Sequence, residues 1–171
     1  ICVRHPDVPP AARLWMVGDG PLLPDARRFV TDHGLEGRVH FLGGCSQREV
    51  ADRMRRVRAF VQHSLVAADG DSEGSPVAVM EAQLSGLPVI ATRHAGIPDV
   101  VLDGRTGLLG DEGDVESMAD AMVKLLRDPA LAQRLGAAGR ERVLQGFTVD
   151  HHLRDLTGLL LRIRATAGAM R

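Results

Sequence analysis

Tyrosine is absent from the sequence, and all aromatic residues together make up only 3% of it. Platforms that hold single-stranded nucleic acid are built from aromatic faces on which bases stack, so that role is disfavoured. A basic excess is missing too. The formal net charge is −1, whereas general nucleic-acid binders carry clear positive charge to meet phosphates. Cysteine occurs only as Cys2 and Cys45, in no C-x-x-C pair. Neither a disulfide framework nor a zinc site is expected, and a reducing cytoplasm is the simpler setting. No apolar run approaches the roughly 18 residues that a membrane-spanning helix needs. No signal peptide is visible, but the chain opens on Ile1 and not on Met, so a missing true N-terminus is expected.

What is present is 171 residues, 44% hydrophobic and 25% charged, the size and composition of one globular domain with a single sizeable core. Short β-type runs alternate with helical ones, which predicts an α/β domain with a parallel, Rossmann-like sheet flanked by helices. Strands are expected at 14–17 (LWMV), 38–42 (RVHFL), 57–63, 87–92 (LPVIAT) and 106–109 (TGLL). Helices are expected over 22–33, from Ser46, and from Ser75-Pro76 to Ser85 with Gly86 as the stop. Further helices should start at Asp114 and at Asp128-Pro129, and a final amphipathic one should cover about 149–165. Ser46 and Glu49 have the S-x-x-E spacing of a reciprocal cap. Val77, Met80 and Leu84 form the expected apolar stripe of the 75–85 helix, and Trp15 is expected in the core.

The chemistry-bearing stretch is Glu73 to Glu81, EGSPVAVME. With Ser75 as cap and Pro76 as first helical residue, Glu73 precedes the helix and Glu81 lies roughly 7 Å along its axis. Between them is a helix N-terminus whose early amides are unpaired and whose dipole favours anions. A diphosphate could dock there, with the carboxylates accepting hydrogen bonds from hydroxyls on either side. A nucleotide sugar has that layout. Two glutamates eight apart are common on solvated helix surfaces, so position carries the argument. The loop follows a strand, and open α/β sheets bind ligands at the carboxyl ends of their strands. Gly18-Asp19-Gly20, Gly43-Gly44 and Gly96 fall at expected strand ends as well.

VGDGP, RVHFLGG, EGSPVAVMEAQLSGLPVIATRHAGIPDVV and DGRTGLL, in this order and spacing, resemble the retaining glycosyltransferases of the GT-B fold, specifically family 4. The likeness runs from about Leu14 to Leu161. It implies that residues 1–171 form the C-terminal donor-binding domain of a two-domain enzyme. Glu73 would hydrogen-bond the donor sugar during transfer, and Glu81 would hold the ribose hydroxyls. Gly74, Ser75, Pro76 and Val77 would line the sugar and diphosphate. Gly18, Asp19 and Gly20 would form the first donor loop, and the backbone of Cys45 would meet the base. The family is metal-independent and retains anomeric configuration by front-face attack, so no metal or cofactor is expected beyond the nucleotide-sugar substrate. Saccharide or lipid-linked acceptors and polysaccharide biosynthesis are the implied setting.

The family also has a strand with an Arg, and a Lys soon after it, ahead of VGDGP. The resemblance implies that this first strand, its two cations and the N-terminal acceptor domain lie outside the chain. The fragment alone is then expected to be inactive, to bind donor weakly and to self-associate through an open strand edge. Asp99 stands where the family more often has Glu, and His94-Ala95 replaces a pair of small residues. The alternatives are a GT-B-fold epimerase or phosphorylase, and a non-catalytic nucleotide-sugar-binding domain.

Other patterns read more plainly. Asp69-Gly70-Asp71 has a D-x-D form that can hold a divalent cation, but in a chain with 22 acidic residues a loop coincidence is the better reading. Gly18-Asp19-Gly20 lacks the third glycine of a dinucleotide fingerprint. The helix with Arg48, Arg53, Arg55, Arg56 and Arg58 reads as a solvated face, with peripheral contact at an anionic inner membrane as the alternative. His94 is assigned to the surface by default.

Overall fold

The computed structural model describes residues 8–74 and 76–169; Cys2 and Ser75 lie outside them. Twelve elements alternate as expected of an α/β chain: β1 (Leu14–Met16), α1 (Leu23–Asp32), β2 (Val39–Phe41), α2 (Gln47–Met54), β3 (Phe60–Gln62), α3 (Val77–Leu84), β4 (Val89–Thr92), α4 (Ile97–Val100), β5 (Gly107–Gly110), α5 (Val115–Arg127), α6 (Pro129–Gly146) and α7 (Val149–Ala169). All strand pairs are parallel, but they form two sheets, β1-β2 and β3-β4-β5. Trp15 pairs with His40 in the first, and Ile90 with Val61 and Leu108 in the second.

The second sheet carries the core. All four residues of β4 are buried, as a central parallel strand covered on both faces should be. Its period of two divides the core. Val89 and Ala91 join Val79, Ala82 and Ile97 on one side, while Ile90 packs with Leu125, Leu131 and Leu135 on the other. The helices are fixed by local chemistry. Ser46 and Glu49 make the full capping box, and Asp114 and Asp128 accept the Ser117 and Leu131 amides to start α5 and α6. Each such cap contributes about 1 kcal/mol.

Three expectations are corrected. The buried face of α3 is Val79, Ala82 and Gln83, while Val77 and Leu84 are exposed. This helix is apolar nearly all round, so α6 selects its buried face, not its own periodicity. Pro76 is the N-cap, with extended ψ of 120°, and not the first helical residue. Trp15 is 38% exposed, lining an open surface cleft with Glu49, Asp52 and Arg53 of α2.

Gly86 ends α3 as expected, with φ of +80°. Its amide reaches Gln83 O, and the Leu87 amide reaches Ala82 O, the paired bonds of a Schellman turn. The α3 end then meets α6 backbone to backbone. A Cβ on Gly136 would stand 2.0 Å from Gly86 O, and backbone cannot yield as a flexible side chain can. Gly136→Ala is expected to lower stability by about 2–3 kcal/mol or more in chemical denaturation. Gly158→Ala, in open space on α7, should instead raise stability by about 0.5–1 kcal/mol through helix propensity.

The α7 helix runs four residues beyond the expected end at 165, to Ala169. Leu153, Leu156, Leu160 and Ile163 remain exposed on it. Among the described residues no helix is long and apolar enough to cross a membrane.

Candidate donor site at the carboxyl ends of the strands

Parallel pairing brings the carboxyl ends of neighbouring strands to one side, and the loops there are tied together. After β1, the Gly18 amide donates to Gly43 O at 2.8 Å, and the Asp19 carboxylate accepts the Gly44 amide at 2.8 Å. A Cβ on Gly44 would lie 3.2 Å from that carboxylate, a tight contact from which the Asp19 side chain would have to draw back slightly. Cys45 follows as a free thiol, with its sulfur turned towards Leu42 O and Gly43 O. Gly18 has φ of +121°, a conformation that L side chains rarely adopt. At Gly20 a Cβ would meet nothing.

Ser46 then starts α2, and the first helical residue, Gln47, donates from Nε2 to Glu81 Oε1 at 2.9 Å. Glu81 is the fifth residue of α3, about 6 Å along the axis from Val77. The N-cap residue Pro76 makes no side-chain cap of α3, since proline offers neither donor nor acceptor there. Val77 is 62% exposed at this end. Ahead of the helix, Glu73 Oε2 accepts from Gln62 Nε2 at 2.8 Å and from Ser64 Oγ at 2.5 Å. Thr92 Oγ1 fixes Ser64 through its carbonyl, and the Gly96 amide donates to Gly74 O at 2.8 Å. The residues expected at the site thus form a belt, from Gly18 and Asp19 through Gly43 to Gln47, across to Glu81, and from Glu73 and Gly74 to Gly96. Both carboxylates are oriented by neutral donors and keep acceptor capacity for a ligand.

Sequence reading missed the residues that aim these groups: Gln47, Gln62, Ser64, Ser72, Thr92 and Glu112. A weak signal existed in Gln62, a polar residue closing an apolar strand. His94 is the clear correction. It is 2% exposed, with Nδ1 2.7 Å from Glu112 Oε1 and Nε2 3.0 Å from Ser72 Oγ. It is buried because both ring nitrogens find partners. The next residue, Ala95, has φ of +44° and is the one non-glycine with positive φ among the described residues.

Asp69 has a structural use, since its Oδ1 accepts the Asp71 amide in the tight turn at Gly70. Among the described residues no group of three or more potential ligands is gathered for a metal. Arg55 pairs with Asp52 on the arginine-rich helix.

The hydrogen bond from His94, and then the Val66 amide, hold the Glu112 carboxyl below its ordinary value of 4.5. Hydrogen bonds from the Ser46 side chain and amide do the same for Glu49. A lowered folded value means these carboxylates contribute their full stability above pH 4.5 and lose it as pH falls through the lowered values. Denaturation midpoints should therefore fall in acid below the ordinary carboxylate range, and Glu112→Gln should flatten that acid limb.

The chain is similar to known proteins in sequence and in fold. The family model for glycosyl transferases group 1 matches residues 6–142. The amylovoran biosynthesis glycosyltransferase AmsK of Erwinia amylovora is 34% identical over 148 residues, covering 86% of this chain and 36% of that protein. A GDP-mannose-dependent α-(1-6)-phosphatidylinositol monomannoside mannosyltransferase of Mycobacterium tuberculosis is 37% identical over 140 residues, covering 81% of the chain and 36% of that protein. Among solved structures, Anabaena Alr3699/HepE in complex with UDP superposes with a TM-score of 0.79 at 24% identity, over 90% of this chain and 42% of that one. Sucrose-phosphate synthase from Thermosynechococcus elongatus gives 0.75 at 29% identity, over 92% and 40%. The chain thus spans little more than a third of the length of these curated relatives. With its fold that of part of a GT-B enzyme and its match running through every strand, the chain belongs to the group 1 glycosyl transferases.

Proposed function

We propose that this chain is the donor-binding half of a retaining glycosyltransferase of family 4, which moves a sugar from a UDP- or GDP-type donor to a saccharide or lipid-linked acceptor. The observation that carries the reading is the belt. Glu73 ahead of α3 and Glu81 within it are held by neutral donors, on either side of a helix tip whose N-cap residue, Pro76, makes no side-chain cap. A diphosphate is drawn to such a tip by its amides and dipole. Glu81 then accepts from the ribose hydroxyls, and Glu73 from hydroxyls of the sugar. The backbones of Gly18, Gly20, Cys45 and Gly74 and the side chain of Val77 line the remainder. Ser75 belongs to the same lining by sequence.

In the transfer the bond between the anomeric carbon and the phosphate oxygen breaks. A bond from the acceptor oxygen forms on the same face, and the acceptor proton passes to the leaving diphosphate. Glu73 acts by holding the sugar as positive charge develops on the ring, a form of electrostatic preorganisation. No metal or cofactor enters this scheme. In this reading the acceptor-binding site and the cations that balance the diphosphate belong to parts of the protein beyond this chain, and a cytoplasmic setting suits a nucleotide-sugar substrate.

Binding tests the reading first. The full-length protein titrated calorimetrically with UDP and with GDP should bind at least one, with a Kd in the millimolar range or tighter. Absence of binding to either would remove the proposal.

A further inference from the structure

We propose that His94 is a positioning residue for Glu73, latching the loop that carries it to the end of the second sheet through Ser72. The inference rests on the donor-site reading above. His94 follows the end of β4 by two residues, as Glu112 follows the end of β5. The imidazole joins Ser72 Oγ on one edge and Glu112 Oε1 on the other. The second oxygen of Glu112 accepts the Val66 amide at 3.3 Å. One histidine–carboxylate pair thus fastens the 66–72 loop at both ends. Glu73 is the next residue, and Gly74 O accepts from the Gly96 amide.

An ionised carboxylate has no proton to give, so Nδ1 carries the hydrogen towards Glu112, and Nε2 shares a hydrogen bond with the Ser72 hydroxyl, which can donate or accept. That leaves the buried ring satisfied at both edges, as burial of a polar group requires. The neighbouring Arg93 reaches Asp103 and Asp111 instead, so the latch carboxylate is not shared with it. Among the described residues, the loop is anchored besides the latch only near its end, where Glu73 accepts from Gln62 and Ser64 and Gly74 O accepts the Gly96 amide. Residues 67–74 read AADGDSEG, and all of them are exposed. Within it, Ala67, Asp69, Gly70 and Asp71 bond to one another in a tight turn. Without the bond to Ser72, the direction from which Glu73 reaches Gln62 and Ser64 is no longer set from its own side of the chain.

The test uses the full-length protein. Ser72→Ala removes the partner of one buried ring nitrogen, so it should lower the melting temperature modestly while the protein stays folded at assay temperature. It should lower kcat about tenfold with little change in donor KM, as misplacement of a group that acts in the transition state does. His94→Asn should lower kcat at least as far, and the double variant should be no worse than His94→Asn alone, the non-additivity of two residues in one network. Normal kcat in Ser72→Ala overturns the latch. So do additive losses in the double variant, or activity losses in His94→Asn that only track lost folding. Calorimetry with UDP and GDP separates this from the parent reading. A wild-type protein that binds neither overturns both, whereas one that binds and transfers while Ser72→Ala stays normal overturns the latch alone.

Discussion

Replacing Glu73 by glutamine should cut kcat by about 10²–10³-fold, the range seen when one preorganised electrostatic contact to the transition state is removed. The amide keeps the size of the side chain and can still accept one bond from Gln62 or Ser64, whose donors lie 2.8 and 2.5 Å from the native carboxylate. Folding is therefore preserved, and the charge is what changes. Donor KM should move little, because the contact strengthens as positive charge develops on the sugar. Steady-state kinetics on the full-length protein, with thermal melting as the control, measures this. A kcat within twofold of wild type would remove Glu73 from the reaction.

Glu81→Ala acts on the ground state. Loss of hydrogen bonds from ribose hydroxyls to a charged acceptor costs about 1.5–3 kcal/mol, so UDP or GDP affinity should fall about tenfold to a hundredfold. Gln47, which donates to Glu81 at 2.9 Å, only orients it, and Gln47→Ala should weaken binding less. Calorimetry on both variants reads the difference. Equal losses would mean that Gln47 touches the nucleotide itself, and no loss in either would move the ribose elsewhere.

Much of this architecture was legible because it is local. The Ser46–Glu49 box, the Asp114 and Asp128 caps and the Gly86 stop each depend on a few adjacent residues, and all of them form. Strand positions were legible to within a few residues for the same reason. What stayed hidden depends on distant partners. α3 is apolar on most of its surface, so only α6 decides that Gln83 is buried, with its amide on Thr106 O. Trp15 reads as core, but it lines an open surface cleft beside α2. His94 reads as a surface residue because Glu112, 18 residues on, and Ser72, 22 residues back, are invisible to local pattern. The two glutamates of the site were visible through spacing, whereas the glutamines and hydroxyls that aim them were not.

Ala95 carries a consequence for how this rim could be engineered. An alanine held at φ of +44° stores roughly 1–2 kcal/mol that a glycine would release. Its neighbours are the buried imidazole and the amide that grips Gly74. A glycine in its place would ease the backbone while giving the unfolded chain more freedom to lose, so the two effects oppose each other. The methyl group narrows the conformations open to that corner. At this single side chain, ease of the folded backbone is set against the freedom of the unfolded chain.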